Sequence, residues 1–188
     1  MELQNTATEL ILGIDIGSNT AKIVLRDKDT ILLERYERHF SQVREKTAEL
    51  LRLVKEIAGD KAVKAAISGS AGLGLAEAAH IPFVQEVFAT AQVVKLREPD
   101  TSCVIELGGE DAKIIFFKGG IDERMNGSCA GGTGAFIDQM ATLLNITVDE
   151  LDKLSLNAGR LYPIASRCGV FAKTDIQPLL NQGARKED

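Results

Sequence analysis

The chain has 188 residues, 45% of them hydrophobic and 26% charged, an ordinary globular composition with enough length for one large domain or two small ones. A formal net charge of −5 without any long basic run disfavours a nucleic-acid or anionic-membrane partner. No apolar stretch approaches the roughly 20 residues that cross a bilayer, and the start, MELQNTATEL, lacks the basic and apolar regions of a signal peptide, so a cytoplasmic protein is expected.

In chain order, Leu10–Ile16 reads as a buried strand, Lys22–Arg26 as a second and Thr30–Arg35 as a third. Tight turns at Gly17–Thr20 and Asp27–Asp29 join them into an antiparallel meander. Ser41 is the expected N-cap of a helix carrying Val43, Thr47, Leu50, Leu51, Val54 and Ile57 at helical spacing to about Ala58. Gly59 closes that helix. Ala62–Ser68 follows as an apolar strand, then a loop, SGSAGLG, and two short helices near Leu75–Ala79 and Gln85–Leu96. The polar break Arg97–Asp100 separates an expected first subdomain, 1–98, from a second, 99–188.

The pattern then restarts. Thr101–Leu107, Asp111–Phe117 and Ile121–Met125 read as strands, with Gly108-Gly109 and Gly119-Gly120 in the turns. The loop NGSCAGGTG, Asn126–Gly134, leads into a helix with Phe136, Met140, Leu143 and Leu144 on one face. Thr147 and Glu150 form a capping box for another. Both halves share the order strand, acid, glycine turn, strand, turn, strand, helix, a repeat of architecture rather than of residues.

The chemistry follows from the turns. Gly17, Ser18, Asn19 and Thr20 expose backbone N–H groups and short donors that can cradle phosphate oxygens, and Lys22 adds a positive charge. Asp15 at the strand end is placed to hold Mg²⁺ through water. Glu106, with Gly108 and Gly109, is the mirror element, and its acid suits orientation of an attacking water or part of the metal shell. Gly131, Gly132, Thr133 and Gly134 stand at a helix N-terminus, where the dipole favours anions. There is no Walker A sequence. Three widely spaced cysteines make no disulfide framework, and without Cys-x-x-Cys no self-contained zinc site. His39 and His80 stand alone and read as surface or core residues. Cys103, mid-strand, reads as a small core residue.

GIDIGSNTAK, IELGGEDAKI, NGSCAGGTGAFIDQMA and SRCGVFAKTDI resemble the activator ATPases of 2-hydroxyacyl-CoA dehydratases and the related ATPase subunits of benzoyl-CoA reductase, above all the activase segment that begins the long, fused members. The resemblance implies the α/β fold of actin, sugar kinases and Hsp70, two RNase H-like halves with ATP or ADP and Mg²⁺ between them. It also implies a homodimer that shares one [4Fe–4S] cluster through Cys129 and Cys168 of each subunit. Iron–sulfur clusters need thiolates, and two cysteines per chain need a two-fold partner to complete four. The implied activity is ATP-gated transfer of a low-potential electron, received from a ferredoxin or flavodoxin, to an iron–sulfur dehydratase or reductase. Many of the shorter activators carry Asp where this chain has Glu106. Family members also continue past LLNQGARKED with a long helix, strands and an adenosine-gripping Gly-Gly turn. The second half is therefore expected to be incomplete at its C-terminus, and the 188 residues alone to bind ATP weakly. Two rival readings remain at this level: a non-catalytic ATP-binding regulatory module, and a sugar- or acetate-type kinase.

Overall fold

A computed structural model describes residues 9–126, 129 and 131–188. Residues 1–8, on which the reading of the start rests, and Gly127, Ser128 and Ala130 of the third glycine loop lie outside the described residues. The chain divides into two compact units between Thr101 and Ser102. No helix among the described residues is long and apolar enough to cross a membrane.

The first unit opens with the expected meander, β1 (Leu10–Ile16), β2 (Thr20–Asp27) and β3 (Thr30–Arg38), antiparallel throughout. Helix α1 (Val43–Ala58) then returns the chain so that β4 (Val63–Ser68) pairs parallel with β1, giving the sheet order β3-β2-β1-β4. Burial alternates along β1: Leu10, Leu12, Ile14 and Ile16 are in the core, while Ile11 is exposed. This is a half-buried strand of period two, not one buried on both faces. Ala21, Ile23 and Leu25 of β2 join the same core. Helix α1 covers it with Thr47, Leu50, Val54 and Ala58, a stripe narrower than expected, since Leu51 and Ile57 stay exposed. Each fully buried aliphatic side chain of this kind contributes roughly 1.5–3 kcal/mol.

Ser41 does not cap α1. The cap residue is Gln42, without a side-chain bond. Ser41 instead sits in the left-handed region at φ 64°, in the turn that ends β3. Gly59 closes the helix as expected, donating its N–H to the Lys55 carbonyl. The edge strand β3 is mostly exposed and charged, which discourages further pairing. Helices α2 (Leu73–Ala79) and α3 (Glu86–Arg97) follow, with Pro82–Val84 bonded to Ile67 of β4 between them.

The second unit holds β5 (Cys103–Leu107), β6 (Ala112–Phe116) and β7 (Asp122–Met125) in an antiparallel sheet of that order. Helices α4 (Gly134–Leu143), α5 (Val148–Ser155) and α6 (Gly169–Asn181) follow. Met140, Ala141 and Leu144 are buried, as are Ile115 of β6 and Ala172 of α6. The capping box is present in full: Thr147 and Glu150 bond each other's backbone N–H. Cys103 is exposed, contrary to its reading as a core residue. The pleat puts Cys103, Ile105 and Leu107 on one face of β5, and that parity is the exposed one.

Candidate functional site

The first glycine turn joins β1 to β2. Asp15 and Lys22 are cross-strand partners, and Lys22 Nζ donates to Asp15 Oδ2 at 2.7 Å. Asp15 lies on the face of β1 opposite the core, about a third exposed like its lysine, so an acid in this apolar strand faces no desolvation by the core. The turn closes with the Gly17 N–H donated to the Thr20 carbonyl at 2.9 Å. Tyr36, opposite Lys22 on β3, places its ring 5.2 Å from the ammonium. The loop after β4 packs over this strand end. Gly69 has φ +95°, and a Cβ there would collide with the Ile16 carbonyl and press on the Asp15 carboxylate, so only glycine fits.

The second glycine turn, between β5 and β6, repeats the first in detail. Glu106 and Lys113 are cross-strand partners, and the Gly108 N–H donates to the Asp111 carbonyl at 2.8 Å. Aligning the two hairpins exposes a shared pattern, acid-x-Gly-x-x-x-Ala-Lys, at Asp15–Lys22 and at Glu106–Lys113. The repeat therefore extends to residues, beyond the architecture expected. The sequence reading passed over Lys113, although this spacing is a signal that could have found it. Lys113 is buried, its side chain 7% exposed, and it pairs with both Glu106 at 3.6 Å and Asp111 at 3.4 Å.

The third loop packs on the second turn. Gly134 donates its N–H to the Gly108 carbonyl at 2.7 Å. A Cβ on Gly134 would stand 3.0 Å from that oxygen, so glycine permits the close approach. Thr133 is fully buried, and its hydroxyl accepts the Phe136 N–H as the cap of α4. Asn126, also passed over, bonds Ala112 N–H of β6 and the Cys129 carbonyl, tying the cysteine to the sheet. Cys129 Sγ accepts the Gly131 N–H at 3.4 Å. Gly131 in turn lies against Gly169, the residue after Cys168, which stands at the N-terminus of α6. The structure thus gathers the second turn, the third loop and the segments carrying both cysteines within one unit. Asp15, Gly17–Thr20 and Lys22 are gathered in the other. Among the described residues no set of three or more metal-ligating side chains converges. Two thiols per chain nevertheless fit one half of a four-thiolate cluster shell.

An (R)-2-hydroxyglutaryl-CoA dehydratase activating ATPase from Acidaminococcus fermentans is 31% identical over 185 residues, covering 94% of this chain and 70% of that protein. An activator of lactoyl-CoA dehydratase from Anaerotignum propionicum is 32% identical over 183 residues, covering 94% of this chain and 70% of its own length. Among solved structures, the activator of the 2-hydroxyisocaproyl-CoA dehydratase from Clostridium difficile, with bound ADPNP, superposes with a TM-score of 0.82 at 28% identity, over 95% of this chain and 68% of that one. The fold is the actin, sugar-kinase and Hsp70-type ATPase fold that the resemblance implied. With residues 12–188 also matching its sequence profile, the chain belongs to the BadF/BadG/BcrA/BcrD ATPase family.

Proposed function

We propose that this protein is an ATP-dependent activator that passes a low-potential electron to an iron–sulfur 2-hydroxyacyl-CoA dehydratase or benzoyl-CoA reductase-like partner. It works in the cytoplasm as a homodimer, and a ferredoxin or flavodoxin supplies the electron. Cys129 and Cys168 of each subunit would hold a shared [4Fe–4S] cluster, which when bound supplies a one-electron centre of low potential. The observation that carries this reading is the short run from Cys129 to Gly134. Near one end Gly131 donates to the Cys129 thiol and packs on Gly169, the residue after Cys168, and the other end is hydrogen-bonded to the second glycine turn. A movement of that turn would reach Cys129 through Gly131 and Cys168 through the contact of Gly131 with Gly169.

The residues of the two turns have separable tasks. The Ser18 N–H and the side chains of Ser18, Asn19 and Thr20 bind phosphate oxygens of ATP or ADP. Asp15 would hold the hydration shell of Mg²⁺, which when bound would balance the phosphate charge, and Lys22 beside it would contact the phosphates. Gly109 and Gly132 offer backbone donors to the terminal phosphate, with the N-terminus of α4 behind them. Glu106 orients the attacking water, and Lys113 fixes the direction of its carboxylate.

Anaerobic purification tests this. A brown dimer with about four irons is expected, with iron and sulfide lost from Cys129→Ser and Cys168→Ser. Electron paramagnetic resonance of the dithionite-reduced protein should change on adding Mg·ATP. Full iron and sulfide content in either serine variant overturns the assignment of the cysteines. A colourless wild-type protein that still binds Mg·ATP overturns the electron-transfer role.

A further inference from the structure

His39, read from sequence as a bystander, stands at the end of β3 with 3% exposure. Its hydrogen bonds define its state. Ring Nδ1 accepts the Ser41 N–H at 3.1 Å, so Nδ1 carries no proton and the network assigns the proton to Nε2. Nε2 then donates to the Gly17 carbonyl at 3.0 Å. The backbone N–H of His39 donates to the Asn19 carbonyl at 3.2 Å. Both carbonyls belong to the first glycine turn.

The consequence follows from the peptide group, which is planar and trans, with its C=O and N–H pointing opposite ways. Drawing the Gly17 carbonyl toward His39 turns the Ser18 N–H away from it. Drawing the Asn19 carbonyl the same way turns the Thr20 N–H likewise. The second turn solves the same problem with a different donor, since there the Gly108 carbonyl is held by the Gly134 N–H at 2.7 Å. The same carbonyl is clamped in both turns, once by a side chain and once by a helix start. Phe40 and Ser41 both lie at positive φ, 48° and 64°, a strained pair for non-glycine residues that brings the Ser41 N–H onto Nδ1. A rigid ring that accepts at one nitrogen and donates at the other is a property of neutral histidine among side chains.

We propose that His39 is a positioning residue for phosphate binding: it holds the first glycine turn with its amide donors facing away from the sheet end and toward the ligand. This rests on the reading that the turn takes the phosphates of ATP or ADP.

The test is calorimetric binding of Mg·ADP to the full chain, with thermal unfolding alongside. In His39→Asn, the side-chain oxygen keeps an acceptor for Ser41 but cannot reach Gly17. In His39→Gln, the side-chain nitrogen reaches the Gly17 carbonyl. We expect about tenfold weaker binding for His39→Asn with a melting temperature near the parent's, and recovery to within about threefold in His39→Gln. Hydrogen exchange of the parent should show the Ser18 amide slowed by Mg·ADP, and this slowing lost in His39→Asn. Equal affinity in parent and His39→Asn overturns the inference and leaves the phosphate reading standing. So does a Ser18 amide in the parent that Mg·ADP leaves unchanged. A parent that binds no Mg·ADP overturns the phosphate reading, and the role of His39 with it. Should His39→Asn not fold, the exchange of Ser18 in the parent and the affinity of His39→Gln decide.

Discussion

The two glycine turns share a backbone, a register and a residue pattern, yet each is supported differently. The first hangs between β1 and β2, with an Asp15–Lys22 pair about a third exposed and a histidine clamp from the residue after β3. The second has a buried lysine shared by two acids, and its clamp is the start of the helix that follows the cysteine loop. The first is thus anchored to a sheet edge, and the second to the start of the helix that follows the cysteine loop. A duplicated hairpin gives two turns of the same backbone and residue pattern. Under the proposed function, the first support suits holding a ligand and the second suits passing on its arrival.

The largest expected effect bears on the first turn's support. Gly69→Ala forces a side chain onto the Ile16 carbonyl at a positive φ. It should cost about 3 kcal/mol and lower the melting temperature by several degrees. A melting point within a degree of wild type would mean that the loop after β4 does not brace Asp15.

Next, Lys113→Met and Lys22→Met set the two lysines against each other. Removing Lys113 leaves Glu106 and Asp111 without their shared cation. We expect about 2 kcal/mol, less than for a fully buried pair because both carboxylates are about a third exposed. Lys22 is about a third exposed where Lys113 is buried, and its loss should cost about 0.5 kcal/mol. Urea unfolding of both variants measures the difference. Equal losses would erase the distinction between a buried and an open turn.

The smallest effect is on pH dependence, and it separates the units by sign. In the second unit, Thr147 backbone and hydroxyl bonds hold Glu150 below the usual glutamate range. The Gly159 and Arg160 N–H groups likewise hold Asp188 below the aspartate range. A carboxylate depressed on folding stabilises above its unfolded pKa, near 4, and that contribution disappears as pH falls through the folded value. In the first unit, Glu49 and Glu37 raise Lys46. Its contribution is complete below about pH 10.4 and fades as pH rises through the folded value. Acid should therefore loosen α5 before α1, and alkali the reverse. Hydrogen exchange of the two helices at both extremes reads this directly, and parallel loosening would contradict it.

Much of this was legible along the chain. The strand limits of β1, the end of α1, the Thr147–Glu150 capping box and the position of all three glycine loops follow from local rules that need only a few neighbouring residues. Ser41 failed as a cap because its backbone is left-handed, at φ 64°, where a cap residue is extended, and α1 begins after Gln42. Cys103 failed because alternation names two faces of a strand without saying which one meets the core. Lys113 was visible in principle, through a spacing shared by both hairpins, but only the register of the two sheets makes that spacing a duplicated pair.

The sequence alone determined where the backbone must turn sharply, which short polar residues stand in those turns, and that Cys129 lies in the third glycine loop while Cys168 precedes a helix. Those properties belong to short stretches and to side-chain chemistry. Only the tertiary structure decided that Asp15 faces away from the core, that His39 reaches 22 residues back to the Gly17 carbonyl, and that the Cys129 loop packs on both the second turn and the residue after Cys168. Each depends on groups distant in sequence being brought within bonding distance, and the free energy that does so comes from burying the apolar faces of the sheets and helices that carry them.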